Sequence, residues 1–454
     1  MMKNFILIFF SLIVLSCSFD NKTGIWKDAS QFPIDNQITE SIDGTNIESK
    51  YENIFTQNQI FNEEKNSFKN LNIILDDPVK INNWFEQYVS LTNNVSNFSY
   101  KGSATLVSKS PKLSKLSLNK NIIFYKNNLI SHDHKGKIFI YSLKLKKKIF
   151  EYNFYKKNFK NFKKEIYLII NNNRLYAGDN LGYLYAIDLK KKTLIWAKNY
   201  GIPFRSNLKV ANDQIFLVNQ DNVIYSINVR NGLKNWKYST TLTFLKSDFE
   251  NNLAIDELNN NIFFLNTSGE LYSINYLNKN INWVINFKNS SLPSDTELFL
   301  SQPIVIKNNN IIVTTENAVM AYDPLVGAKK WSFPSDSILK PILTSNYTYI
   351  VSKNNLLICL ENITGKVLWS KNIYKKIQNK KIKSKIGSIF YDFKIVNNSI
   401  NLYSNNGYLL SFNYENGNFQ YIKKISKNGI NSEIVFLRHN MFLFDNHNKL
   451  LKFN

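Results

Sequence analysis

The stretch LICLENITGKVLW, residues 357–369, joins an apolar run to an acidic residue, a Thr-Gly turn and a tryptophan. The chain repeats it. LYAIDLKKKTLIW occupies 184–196, IYSINVRNGLKNW 224–236, LYSINYLNKNINW 271–283 and VMAYDPLVGAKKW 319–331. Weaker copies are IYSLKLKKKIFEY at 140–152 and LLSFNYENGNFQY at 409–421, and LLKFN at 450–454 begins an eighth.

Short apolar runs of this kind, rich in branched and aromatic residues, predict strands buried on both faces. Asp188, Asn228, Asn275, Asp323, Glu361 and Asn413 follow the runs, where such side chains cap turns by accepting backbone amides. An aromatic stands eight positions further on: Tyr152, Trp196, Trp236, Trp283, Trp331, Trp369 and Tyr421. Upstream, turns such as Asp133–Gly136 and Asp179–Gly182 join each run to a preceding strand. The unit is four short strands, recurring every 38 to 52 residues, the extremes being Asp323 to Glu361 and Glu361 to Asn413. A period of this length without helical periodicity predicts propeller blades.

The fold expected is therefore all-β: a single eight-bladed β-propeller of four-stranded blades. The eighth copy stops at Asn454, so its outer strand has to come from upstream, and ATLVSKSPKLSK at 104–115 is the candidate. Closing the ring with an N-terminal strand protects edges that would otherwise pair with another chain. In this frame Trp196, Trp236, Trp283, Trp331, Trp369 and Gly365 are structural, the tryptophans being flat apolar wedges set against the next blade.

Composition narrows the class. With 44% hydrophobic and 14% aromatic residues the chain can bury a large core. Its net charge of +23 is almost wholly lysine, since arginine occurs only at 174, 205, 230 and 438. Nucleic-acid recognition favours the arginine fork, and the lysines form no dense arm, so no nucleic-acid partner is expected. Scattered lysines of this kind suit a solvated surface, with attraction to anionic lipid as the alternative.

MMKNFILIFFSLIVLSC, residues 1–17, has Lys3, an apolar run from Phe5 to Leu15, then Ser16 and Cys17. The run is short for a membrane span and reads as a signal peptide. Val14-Leu15-Ser16-Cys17 resembles a bacterial lipobox, which makes 1–16 a lipoprotein signal peptide and Cys17 the lipidated residue. Residues 17–95 are expected to be a polar tether with short docked pieces, and 96–454 the propeller. Cys359 is the only other cysteine and takes the place of Ala186 and Ser226 in sister repeats, so it is expected to be a buried packing thiol.

LICLENITGKVLW is also similar to the pyrroloquinoline-quinone-type propeller repeat, Cys359, Glu361, Thr364, Gly365, Lys366 and Trp369 falling at its positions. With the lipobox and eight blades, the whole chain resembles the BamB family, lipoproteins of the bacterial outer-membrane β-barrel assembly machinery. NNWFEQYVSLTNN around Trp84 is similar to a segment of alphaproteobacterial members, although the Gly-Gly and Pro of that segment are missing. The resemblance implies a non-catalytic scaffold that binds the barrel insertase BamA and other assembly subunits, lipid-anchored in the outer membrane and facing the periplasm. It also implies a contact loop after Trp236, which places Leu242, Phe244 and Lys246 at the partner. The alternative is that these three residues start the next blade's inner strand.

The rival reading is a quinoprotein dehydrogenase, or else a periplasmic propeller with another partner. Quinoproteins of this fold hold their quinone beneath two adjacent cysteines, and this chain has no such pair. No catalytic residue, metal site or cofactor is therefore assigned. His132 and His134 flank Asp133 in one turn and His447 lies in the equivalent turn of blade eight, a pattern better suited to turn chemistry than to a metal. No P-loop, G-x-S-x-G or H-E-x-x-H motif occurs. KKIQNKKIKSKIGS at 375–388 reads as a solvated insertion.

Overall fold

The computed structural model describes residues 17–19, 26–28, 60–67, 72–155, 159, 161–243, 250, 252–288, 298–377, 380–387 and 389–454. The chain divides into two compact units, Met1–Gln57 and Asn58–Asn454. In the first, Cys17–Phe19 pairs antiparallel with Trp26–Asp28, Cys17 lying opposite Asp28.

The second unit is the eight-bladed propeller that the repeats predict, built of four-stranded antiparallel sheets. Blades one to seven span 123–153, 166–199, 209–239, 252–286, 305–333, 342–372 and 390–424. Blade eight takes three strands from 435–453, and Leu106–Lys109 pairs with Leu450–Phe453 to complete it. The expected closing strand is thus in place.

Blade six contains the opening stretch. Its strands are Ile342–Leu343, Tyr347–Val351, Leu356–Glu361 and Val367–Asn372, counted from the channel outwards. Leu356 to Leu360 are all buried, because the third strand is covered by a blade on either side. Cys359 is among them, and burial pushes its thiol pKa well above the usual range. At the strand end the Glu361 carbonyl accepts the Gly365 N–H at 2.9 Å, and the Glu361 N–H donates to Lys366 at 3.0 Å. A register shift between Cys359 and Leu360 feeds this turn. The same shift recurs at Ala186/Ile187, Ser226/Ile227, Ser273/Ile274 and Ala321/Tyr322, so one bulged turn is reused around the ring.

The tryptophan wedge has a specific seat. A Cβ on Gly365 would lie 2.7 Å from the ring of Trp331 in the preceding blade, and Gly365 has φ of +72°. Two constraints therefore meet at one position, a left-handed backbone and a ring pressed flat on it. Gly232, Gly327 and Gly417 stand in the same relation to Trp196, Trp283 and Trp369. The indole N–H completes the contact: Trp331 Nε1 donates to the Asn362 carbonyl at 2.7 Å and Trp283 Nε1 to Pro324 at 3.2 Å. Blade four carries Lys279 (φ +69°) in this turn, and Trp236 facing it is half-buried with its Nε1 unbonded.

Turns on the other face are held by side chains. Asp179 Oδ1 accepts the amides of Leu181 and Tyr183 at 2.9 and 2.8 Å, and Asn219, Asn266 and Asp445 repeat the arrangement. The outer strands of blades three and four are exposed or half-buried throughout, but Val367–Ser370 of blade six is buried. Residues 60–67 lie along it, with Lys65 and Ser370 exchanging backbone hydrogen bonds at 3.0 and 2.9 Å. That pairing covers an edge strand. Within 375–388, Lys380–Ile386 forms a helix; Ile377 and Ile386 are buried in one apolar cluster with Tyr374 and Ile382 packs against it, so this insertion is docked through its isoleucines rather than wholly solvated.

Replacing Gly365 with Ala should lower stability by about 2 kcal/mol, since strain and the lost ring contact add. In Trp331→Ala the same glycine change should cost clearly less, because the ring it collides with is gone. Urea unfolding of the two single variants and the double variant checks this; strict additivity would show that ring and glycine are not coupled.

Candidate functional site

The innermost strand of each blade leaves backbone groups facing the central channel, where they need partners. Residues 81–100 provide them. This segment runs once round the inner strands, visiting the blades in order, and forms a belt across one mouth of the channel. The Ile81 carbonyl accepts the Arg438 N–H of blade eight at 2.8 Å. Trp84 and Phe124 of blade one exchange two backbone bonds at 2.8 and 3.0 Å. Phe85 accepts Ile170 of blade two at 2.9 Å, and Glu86 pairs with Lys209 of blade three at 2.7 Å. Leu91 and Thr92 accept Ile255 and Ile306 of blades four and five at 2.8 and 3.1 Å. Asn94 donates to and accepts from the Leu343 backbone of blade six, and the Phe98 N–H donates to Ile395 of blade seven at 2.8 Å. Tyr100 then bridges to His439, back at blade eight.

The belt is fastened by packing as well. Trp84 is fully buried and stacks on Phe98 with ring centroids 5.8 Å apart. Phe98 and Tyr100 in turn pack on Phe436 of blade eight. Asn93, also buried, donates to the carbonyls of Leu253 and Ile304 at 3.0 Å each, tying blades four and five together. Among the residues of this segment only Trp84 was singled out by sequence, and its place is structural.

Beneath the belt lies a chamber of about 380 Å³, lined by Tyr88, Glu250, Lys340, Asp392, Lys394 and Glu433 among others. Its walls are the leading ends of the inner strands of blades four to eight. Lys394 and Asp392 form an ion pair at 3.0 Å. Lys340 Nζ donates to the Asn93 carbonyl at 2.8 Å and lies over the Tyr88 ring. Burial, reinforced by the Lys394 charge, lowers the Lys340 pKa to about 7. Burial raises Glu250 to about 7 and Glu433 to about 8, the latter against the pull of Lys394. In the Glu86–Lys209 pair burial pushes the acid up and the amine down, each opposed by the other's charge. The chamber therefore holds several groups whose charge is easily lost near neutrality, and it is amphoteric rather than anionic or cationic.

Of the expected contact loop after Trp236, residues up to Thr243 are described. Leu242 is 63% exposed in the link between blades three and four, and the inner strand of blade four begins later, at Asn252. Phe244 and Lys246 lie outside the described residues. Of Cys17 the backbone pairing alone is described. His132 is buried against the Ile166 carbonyl at 2.8 Å, with its pKa lowered to about 4 by burial, while Asp133 accepts the amides of Lys135 and Lys137. No metal-binding cluster of His, Cys, Asp or Glu occurs among the described residues.

Eight bulged blades, wedge tryptophans and a polar channel define a propeller of the pyrroloquinoline-quinone repeat class. The family model for outer membrane protein assembly factor BamB matches residues 156–371 and 259–453. The chain belongs to that family. Among solved structures, BamB from Moraxella catarrhalis aligns with a TM-score of 0.60 at 12% identity, over 77% of this chain and 99% of that one. The quinohemoprotein alcohol dehydrogenase from Comamonas testosteroni aligns with a TM-score of 0.59 at 9% identity, over 82% and 80% of the two chains. At such identities both likenesses establish the fold alone. A comparison with curated protein sequences finds no match.

The raised acid in the chamber has a signed consequence. Glu433 holds its proton more tightly when folded than unfolded, so stability tied to it is present below pH 4.5 and lost as pH rises to about 8. Glu433→Gln should therefore match the parent near pH 4.5 and become the more stable of the two above pH 8. Denaturant midpoints across that range check it; a constant difference at all pH values would show that Glu433 titrates normally.

Proposed function

We propose that this chain is a non-catalytic scaffold lipoprotein of outer-membrane β-barrel assembly, anchored through Cys17 and docking the barrel insertase BamA from the periplasmic side. The observation that carries the reading is the family match, which runs from just after blade one through blade eight. The exposure of Leu242 supports the loop between blades three and four as the docking element, with Phe244 and Lys246 as its neighbours in sequence. An exposed aliphatic side chain next to an aromatic and a lysine has the composition of an interface anchor flanked by a rim charge.

In this reading the propeller is a rigid disc, and binding depends on loops at its surface rather than on chemistry in the channel. Replacing Leu242 and Phe244 together with Ala should weaken insertase binding by roughly thirtyfold or more while leaving the melting temperature unchanged. Pull-down from detergent-solubilised membranes, beside a melting curve, is the test. Retained binding with a lowered melting point would mean that these residues are core. In the same preparations labelled palmitate should be incorporated, and Cys17→Ala should abolish it; labelling that survives would refute the anchor.

A further inference from the structure

Antiparallel strands taken in sequence put the first and third turn of every blade on one face, the face across which the belt runs. The third turns there divide into two sectors. In blades one and two they are dominated by lysine: Lys144, Lys146 and Lys147, with Leu145 exposed among them, then Lys190, Lys191 and Lys192, all exposed. In blades three to six they end in exposed aliphatic tips: Leu233, Leu277, Leu325 with Val326 (69% exposed), and Ile363 (80%). Leu258, in the first turn of blade four, is 93% exposed on the same face.

The acids of these turns hold hydrogen bonds and keep their negative charge, the amide partners of Asp188 holding its carboxyl below the usual range. Asp188 accepts the amides of Lys190 and Lys191, Asp323 accepts that of Leu325, and Asp213 pairs with Arg230 at 3.2 Å. In the third turns of blades one and two the six lysines stand against one acid, Asp188, while Glu257 is exposed beside Leu258 in blade four. We infer that this face lies against an anionic phospholipid surface, with the lysines of blades one and two on headgroups and the aliphatic tips of blades three to six in the interfacial layer.

The chemistry favours lipid over a protein. A protein anchor is a cluster in one pocket, whereas these tips are spread over the turns of four blades. A deformable apolar layer accepts dispersed tips, and long lysines keep their charge at headgroup level while their stems lie on apolar surface. Six lysines in two adjacent turns complement a negative surface potential and act within a Debye length of it. The inference goes beyond the scaffold reading and needs neither the lipid on Cys17 nor the insertase.

The test is position-specific, so the N-terminal apolar run common to every variant does not decide it. In the full chain carrying Cys17→Ala, Leu325→Cys is labelled with a polarity-sensitive thiol fluorophore, Cys359 being buried. Lys353→Cys, in the second turn of blade six, serves as the opposite-face control. Vesicles of phosphatidylglycerol and phosphatidylcholine should blue-shift the label at 325 and leave that at 353 unchanged. Changing the six lysines to Gln should weaken the response roughly a hundredfold in lipid concentration. Equal shifts at both positions, or none at 325, would overturn the inference. A shift at 325 that appears with the insertase's periplasmic domains but not with vesicles would overturn it too, and make the face a protein interface.

Discussion

An indole ring laid flat on a left-handed glycine joins neighbouring blades, and the disc depends on that contact. Trp196, Trp283, Trp331 and Trp369 each press on a glycine of the following blade, near enough that a methyl group could not fit between them. The glycine sits there because the bulged turn requires positive φ, and the turn exists because the bulge places an acid or amide at the strand end. One local device thus sets both the shape of the blade and its angle to the next. Among the tryptophans the device is incomplete at one place, where blade four has Lys279 in the glycine position and Trp236 in blade three has no glycine to lie on.

Wedges hold the outer ring, and the belt holds the inner one. Several innermost strands are short, as in Lys209–Ala211 and Ile342–Leu343, and have little pairing of their own. By giving backbone partners to blade after blade, residues 81–100 tie these strands to a single piece of chain. The arrangement also explains why this stretch is rich in asparagine. Asn93 and Asn94 bond backbone carbonyls of three successive blades, which a small amide can do and an apolar side chain cannot.

The ring itself was legible in the sequence because its signals are local. Alternation, turn acids and aromatics at fixed offset appear within a dozen residues, and the missing outer strand of blade eight pointed upstream to Leu106–Lys109. The belt was not legible: each contact reaches a different blade hundreds of residues away, so no period marks it. The same holds for Lys65 on Ser370 and for the tryptophan seats, whose glycine partners belong to the next repeat. Lys380–Ile386 escaped notice because its lysines announce solvent while Ile382 and Ile386 alone face the core. In the loop after Trp236 composition suggested an interface, and Leu242 is exposed there, whereas nothing in sequence pointed to the chamber, whose charged residues come from four different blades.

Membership in the BamB family and a shared fold with quinoprotein dehydrogenases leave the belt as the feature that most shapes this chain's channel. Its central role is tested most directly by native-state hydrogen exchange. If the belt is integral, the amides of Ile170, Ile255, Ile306 and Phe98, all bonded between belt and blades, should exchange as slowly as those of the third strands, such as Ile358. Exchange of these four at the rate of surface turns, with Ile358 still protected, would contradict the account and make the belt a loosely held segment.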